Sequence, residues 1–222
     1  MRQLILTLAP DAAPTLANFR PAGNGEAYDC LCALAAGAPA EAVIYLWGPA
    51  GSGKTHLLRA TVAAVRMRGE TAHYVAAGEP IPEAAGGLLA VDDVERLDAV
   101  AQVALFDRIN AAREGAGTVL AAGTVPPAHL TLRPDLATRL AWGLTYALTP
   151  LSDADKRTAL AEHARARGMR LPDEVVTYLL THCRRELRAL IALVDALDEY
   201  SLSLRRPVSL PLLKALLKER GG

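Results

Sequence analysis

The 222-residue chain has room for one ordinary core and a smaller second one, since domains usually run about 100 to 150 residues. Its 51% hydrophobic and 22% charged residues suit a packed globular protein, and no stretch approaches the roughly 20 apolar residues of a membrane span. The 24 basic and 24 acidic side chains cancel, which removes the net field that would draw the molecule to a nucleic-acid backbone.

Along the chain, the first segment, residues 1–10, holds one arginine and an apolar stretch at 4–8. That stretch is too brief for the roughly 7 to 15 residue core of a secretion signal, so a cytoplasmic protein is expected. Cys30 and Cys32 stand too close for an ordinary bridge and Cys183 is remote, which reads as reduced thiols without zinc spacing. From Glu41 onward, short apolar runs alternate with helical stretches, the pattern of a parallel sheet covered by helices. Strands are predicted at 42–47, 72–75, 88–91, 118–122 and 144–148, and helices at 54–68, 99–113 and 134–140.

Beyond Thr149-Pro150 the strand signals stop. Ser152 with Asp155 marks a capped helix running to Arg167, Pro172 opens another, 185–204 forms a third, and a last one follows Pro211. The shorter aspartate in place of glutamate is expected to reach less far in the capping box. An α/β core with an all-helical C-terminal part is therefore predicted, divided near Pro150.

The segment Gly48-Pro-Ala-Gly-Ser-Gly-Lys-Thr55 fits G-x-x-x-x-G-K-[ST], with an apolar strand before it and a helix after it. Glycines let backbone N–H groups converge on an anion, and the helix N-terminus adds its positive dipole end. Lys54 is expected at the outer phosphates of ATP or ADP, with Thr55 on Mg²⁺. Forty residues on, the run 88–91 ends in Asp92-Asp93, where strand alternation aims one carboxylate at the metal and leaves the next past the strand end. Asp92 is thus the expected Mg²⁺ partner and Asp93 the residue that orients an attacking water. The five histidines show no ligand spacing, and Trp47 and Trp142 read as packing groups.

These motifs and the helical tail resemble the AAA+ ATPases, and Gly53-Lys-Thr-His-Leu-Leu58 resembles the phosphate loop of the DnaA family in particular. Asn18-Phe19 with Asn24 is similar to that family's adenine-approach segment. The stretches 134–143, 151–156 and 184–190 are most similar to the Hda regulators of the same family. The resemblance implies an AAA+ core at 16–150 and a lid at 151–222. It also implies a nucleotide site formed by Gly48, Pro49, Ala50, Gly51, Ser52, Gly53, Lys54, Thr55 and His56, with Phe19 and Asn24 at the base. Arg139 aligns with the arginine finger that one subunit inserts into a neighbour's site, Arg185 with the lid's sensor arginine, and Thr124 with the sensor after the fourth strand. Related proteins often carry Asp-Arg where this chain has Thr124-Val125, and a longer Glu where it has Asp93, so slow hydrolysis by the chain itself is expected.

The N-terminal residues 1–15 are similar to the peptide by which such regulators bind the sliding clamp of DNA polymerase, with Gln3, Leu4, Leu6 and Leu8 as anchors. The implied partners are DnaA and the clamp, with DNA reached only through the clamp and no membrane; pairing into a homodimer is left open. The chain ends at Gly222 with no helix-turn-helix after the lid, so a complete initiator is not expected. The implied role is to shut down initiation by stimulating hydrolysis of DnaA-bound ATP; an autonomous loader-type ATPase in replication is the alternative.

Overall fold

The computed structural model describes residues 13–38, 41–83, 86–183 and 186–220. They fall into two compact units, Ala13–Pro150 and 151–220, each with its own core.

In the first unit, five parallel strands form one sheet in the order β2-β3-β4-β1-β5: β1 is Val43–Trp47, β2 Ala72–Val75, β3 Leu88–Val91, β4 Thr118–Gly123 and β5 Leu144–Ala147. Each predicted strand lies within one residue of the observed one. The four helices are α1 (Gly25–Ala35), α2 (Lys54–Met67), α3 (Ala99–Arg113) and α4 (Pro134–Leu140). Helix α1 was not anticipated; it buries Ala27 and Leu31 on the sheet face that α2 also covers.

Strand side chains alternate between faces, and the two cores separate accordingly. Ile44, Leu46, Leu88, Ala90, Leu120 and Ala122 pack with Leu57, Leu58, Val62 and Val65 of α2. Val43, Tyr45, Leu89, Val91, Val119 and Ala121 pack with Leu105 and Ile109 of α3 and Leu136 and Leu140 of α4. Burial on both faces is why the inner strands read as continuous apolar runs rather than polar-apolar alternation. Strand β5, at the sheet edge, is largely exposed.

The second unit is all helical: α5 (Asp153–Ala166), α6 (Asp173–His182), α7 (Leu187–Leu204) and α8 (Leu210–Arg220). Leu160, Val176, Leu179, Leu190, Leu197 and Leu213 meet in its core. Asp155 completes the capping box despite its short side chain: its Oδ2 accepts from Ser152 N–H at 3.1 Å, and its own N–H donates to Ser152 Oγ at 3.1 Å. Among the described residues no helix is long and apolar enough to cross a membrane, and no group of three His, Cys, Asp or Glu is placed to hold a metal.

Candidate functional site

The phosphate-loop sequence leaves the C-terminal end of β1 and turns into α2, so the helix N-terminus points at the loop. Gly48, Gly51 and Gly53 all have positive φ, and at two of them a Cβ would also find no room. Gly48 has φ +152, and a Cβ there would collide with the carbonyl oxygen of Leu148; Gly53 has φ +98, and a Cβ there would stand 2.7 Å from Cε2 of Phe19. Lys54 is buried at 7% exposure, and its ammonium donates to the carbonyls of Gly48 at 2.7 Å and Pro49 at 3.1 Å. Ser52 Oγ is buried with no hydrogen-bond partner among the described residues, beside Gly48. Thr55 is exposed on the first turn of α2. A glycine-lined turn, a helix N-terminus, an ammonium, an orphaned hydroxyl and a free-standing threonine form the donor set that a polyphosphate requires, so the residues present fit a nucleotide.

Asp92 follows β3 and, by strand alternation, shares the side of Leu88 and Ala90, the side of α2. It is 4% exposed and accepts from Tyr74 Oη at 2.9 Å and from the Asp93 N–H at 3.1 Å. Tyr74 pairs in register with Ala90 on the neighbouring strand, which puts its hydroxyl at the strand end. Asp93 adopts a left-handed backbone, φ +46, and begins a one-turn 3-10 helix at Val94–Arg96. Burial, then the charges of Asp92 and Glu95, hold the Asp93 carboxyl above its ordinary range, against the opposing pull of Lys54 and Arg96. Asp92, Asp93 and Lys54 are thus brought together.

Glu95 was missed in the sequence. The left-handed turn at Asp93 carries it to the tip of β4, where Oε1 accepts from the N–H of Thr124 at 3.0 Å. Its position three residues beyond Asp92 is the only sequence signal that could have flagged it. Thr124 itself follows β4 directly and is exposed.

The approach segment lies against the loop. Phe19 stacks on Tyr28 with ring centres 5.8 Å apart and meets His56 at 5.5 Å; the His56 Nε2 donates to the Thr15 carbonyl at 2.9 Å. Asn24 is 5% exposed and spends both ends of its amide on one backbone unit: Nδ2 donates to the Thr149 carbonyl at 2.9 Å and Oδ1 accepts from the Thr149 N–H at 2.8 Å. Asn24 therefore clamps the approach segment to the chain just beyond β5.

Arg139, in the last turn of α4, is half-buried. Its guanidinium donates to Asn110 Oδ1 and lies over the rings of Phe106 at 4.2 Å and Trp142 at 4.9 Å. Arg113 covers Trp142 as well, at 4.3 Å. Trp142, read as a packing group, is instead 51% exposed; it follows α4 on the surface, where the flanking guanidiniums cover its ring. Phe106, Asn110 and Arg113 fall at spacings of four and three on α3, one helical face, which is how they converge on Arg139 and Trp142. Arg185 and the segment with Gln3, Leu4, Leu6 and Leu8 lie outside the described residues.

Residues 153–217 match the family model described as "Hda, lid domain". Among solved structures, domain III of the replication initiation protein DnaA from Thermotoga maritima superposes with a TM-score of 0.73 at 20% identity, covering 94% of this chain and 97% of that one. AMPPCP-bound DnaA from Aquifex aeolicus gives 0.69 at 21% identity over 89% of this chain and 68% of that one. The RuvB Holliday junction branch migration motor of Thermotoga maritima gives 0.68 at 16% identity, with 95% and 72% covered. The fold is that of the AAA+ proteins, a parallel sheet core followed by a helical lid.

Proposed function

We propose that this DnaA-related AAA+ protein, with a lid of the Hda kind, is a cytoplasmic replication regulator that stimulates hydrolysis of the ATP held by DnaA. The observation that carries this reading is the Hda lid match at 153–217, behind an α/β core that holds a complete phosphate-loop sequence at 48–55.

In this reading ADP or ATP with Mg²⁺ would supply the phosphate charge that the loop donors are placed to meet. Lys54 and the loop N–H groups bind its phosphates, Thr55 and Asp92 hold the metal, and Phe19 faces the base. Asn24 keeps the approach segment in place through Thr149. Arg139 acts outside its own subunit, on the γ-phosphate of the partner's ATP. A guanidinium placed on a departing phosphoryl group is worth about 10³ to 10⁵ in rate in finger systems. Arg185 is assigned to the γ-phosphate side of the chain's own nucleotide, and Gln3, Leu4, Leu6 and Leu8 to the sliding clamp, which brings the regulator to DNA.

The test is hydrolysis of ATP-loaded DnaA mixed with this protein and DNA-loaded clamp, leaving out one component at a time. Stimulation should need all of them. Equal stimulation without the clamp would remove the role of the N-terminal peptide. A second reading, an autonomous ATPase, is favoured by the intact Lys54, Thr55 and Asp92; turnover of ATP by the protein alone at a rate unaffected by DnaA would select it.

A further inference from the structure

The carboxylate of Glu95 has no part in the motifs and is nonetheless built into the site. It sits in the one-turn helix after β3 and reaches across to β4, where Oε1 accepts from the Thr124 N–H at 3.0 Å. Its other oxygen, Oε2, is buried with no hydrogen-bond partner among the described residues. Gly123 makes room for it: a Cβ there would lie 3.0 Å from Oε2 and would strike the Tyr45 hydroxyl. That hydroxyl in turn donates to the Val125 carbonyl at 2.9 Å. The N–H of Thr124 and the carbonyl of Val125, just after β4, are therefore held by two side chains, one from the turn after β3 and one from β1. Gly123 is also paired with the phosphate loop, since it stands in register with Trp47 and accepts from the Gly48 N–H at 3.3 Å.

A buried carboxylate oxygen without a partner costs folding free energy, so stability alone does not favour glutamate at this position. We infer that Glu95 is a positioning residue that ties the acidic end of β3 to the tip of β4 and so fixes Thr124 relative to the phosphate loop. The inference rests on reading 48–55 as that loop and Thr124 as the residue that senses the γ-phosphate. Its operating element is the acceptor oxygen, because the contact made is a hydrogen bond to a backbone N–H.

The test uses the full chain with Glu95→Ala, Glu95→Asp and Glu95→Gln. Amide exchange at Thr124 is measured by NMR, together with affinities for ADP and ATP. In Glu95→Ala and in the shorter Glu95→Asp, Thr124 should exchange about tenfold faster, as loss of one hydrogen bond implies. ADP affinity should stay within about threefold, because the loop donors are untouched, while discrimination between ATP and ADP diminishes. Glu95→Gln keeps an acceptor oxygen and should restore both. Unchanged exchange at Thr124 in the alanine and aspartate variants, or failure of glutamine to restore it, overturns the tie. Absence of nucleotide binding by the wild-type protein would overturn the phosphate-loop reading instead, and the exchange measurement still decides the tie.

Discussion

The guanidinium of Arg139 lies 4.2 Å from the centre of the Phe106 ring, and the same side chain donates to Asn110 one helical turn along α3. A cation over a ring face gains about 0.5 to 1 kcal/mol when exposed and more when desolvated, so this contact restricts a side chain that would otherwise sample many rotamers. Arg139 is held at a definite place on the surface of its own subunit, half-buried and not enclosed.

That geometry separates charge from shape. Arg139→Lys keeps the charge and loses the planar stack and the fork of donors, so it should reduce stimulation of DnaA hydrolysis nearly as much as Arg139→Ala, by about 10³ or more. Both variants should remain folded, with thermal midpoints lowered by a few degrees at most. Normal stimulation by the alanine variant would refute the finger assignment.

Phosphate binding predicts a ligand-dependent stability. ADP at about 100 times its Kd should raise the stability of the wild-type protein by about 2.7 kcal/mol, visible as a higher thermal midpoint. Lys54→Ala should show little or no rise at the same concentration. Equal shifts in the two proteins would show that nucleotide is bound elsewhere.

Asn24 joins residues 125 positions apart by satisfying both hydrogen-bonding groups of Thr149. Asn24→Ala removes both of these hydrogen bonds, each worth about 0.5 to 1.5 kcal/mol, and a cost of about 1 to 3 kcal/mol is expected in chemical denaturation. Asn24→Asp retains the acceptor but loses the donor and should also destabilise. A change below about 0.5 kcal/mol for the alanine variant would show that the clamp is unimportant to the fold.

Asp93 gives a pH dependence of defined sign. Its carboxyl is held above the ordinary range by burial and then by Asp92 and Glu95, so its ionised form opposes folding. The penalty is full above the folded pKa, shrinks as pH falls through it, and is absent below the unfolded value of about 3.8. Asp93→Asn should therefore raise the thermal midpoint of the protein at pH 7, and the gain should fade as the pH approaches 4. Asparagine also tolerates the left-handed backbone at this position. A midpoint difference that does not change with pH would point to a cause other than ionisation.

The local code carried much of the fold. Apolar runs of four to six residues located the inner strands β1, β3 and β4, because a strand buried on both faces must be apolar throughout, whereas the edge strands β2 and β5 mix polar and apolar residues and are partly or largely exposed. The turn from β1 into α2 was legible because it is written in consecutive residues: glycines for the positive-φ backbone, then lysine and threonine on the first turn of the helix. Helix α1 escaped notice because its sequence, GEAYDCLCALA, opens on glycine, a poor helix former, and no side chain caps it.

What tertiary structure decided are the contacts between distant segments. The family resemblance marked Asn24 as a candidate site residue, but only the return of the chain after β5 brings Thr149 to its amide. It marked Arg139, while the choice of Phe106, Asn110 and Trp142 as its surroundings depends on how α4 packs beside α3. Glu95 reaches Thr124 because parallel pairing sets the ends of β3 and β4 side by side. Secondary structure and the phosphate loop are governed by neighbours in sequence and so can be read from it, whereas side-chain partners follow from strand order and helix packing, which bring together residues that no local pattern links.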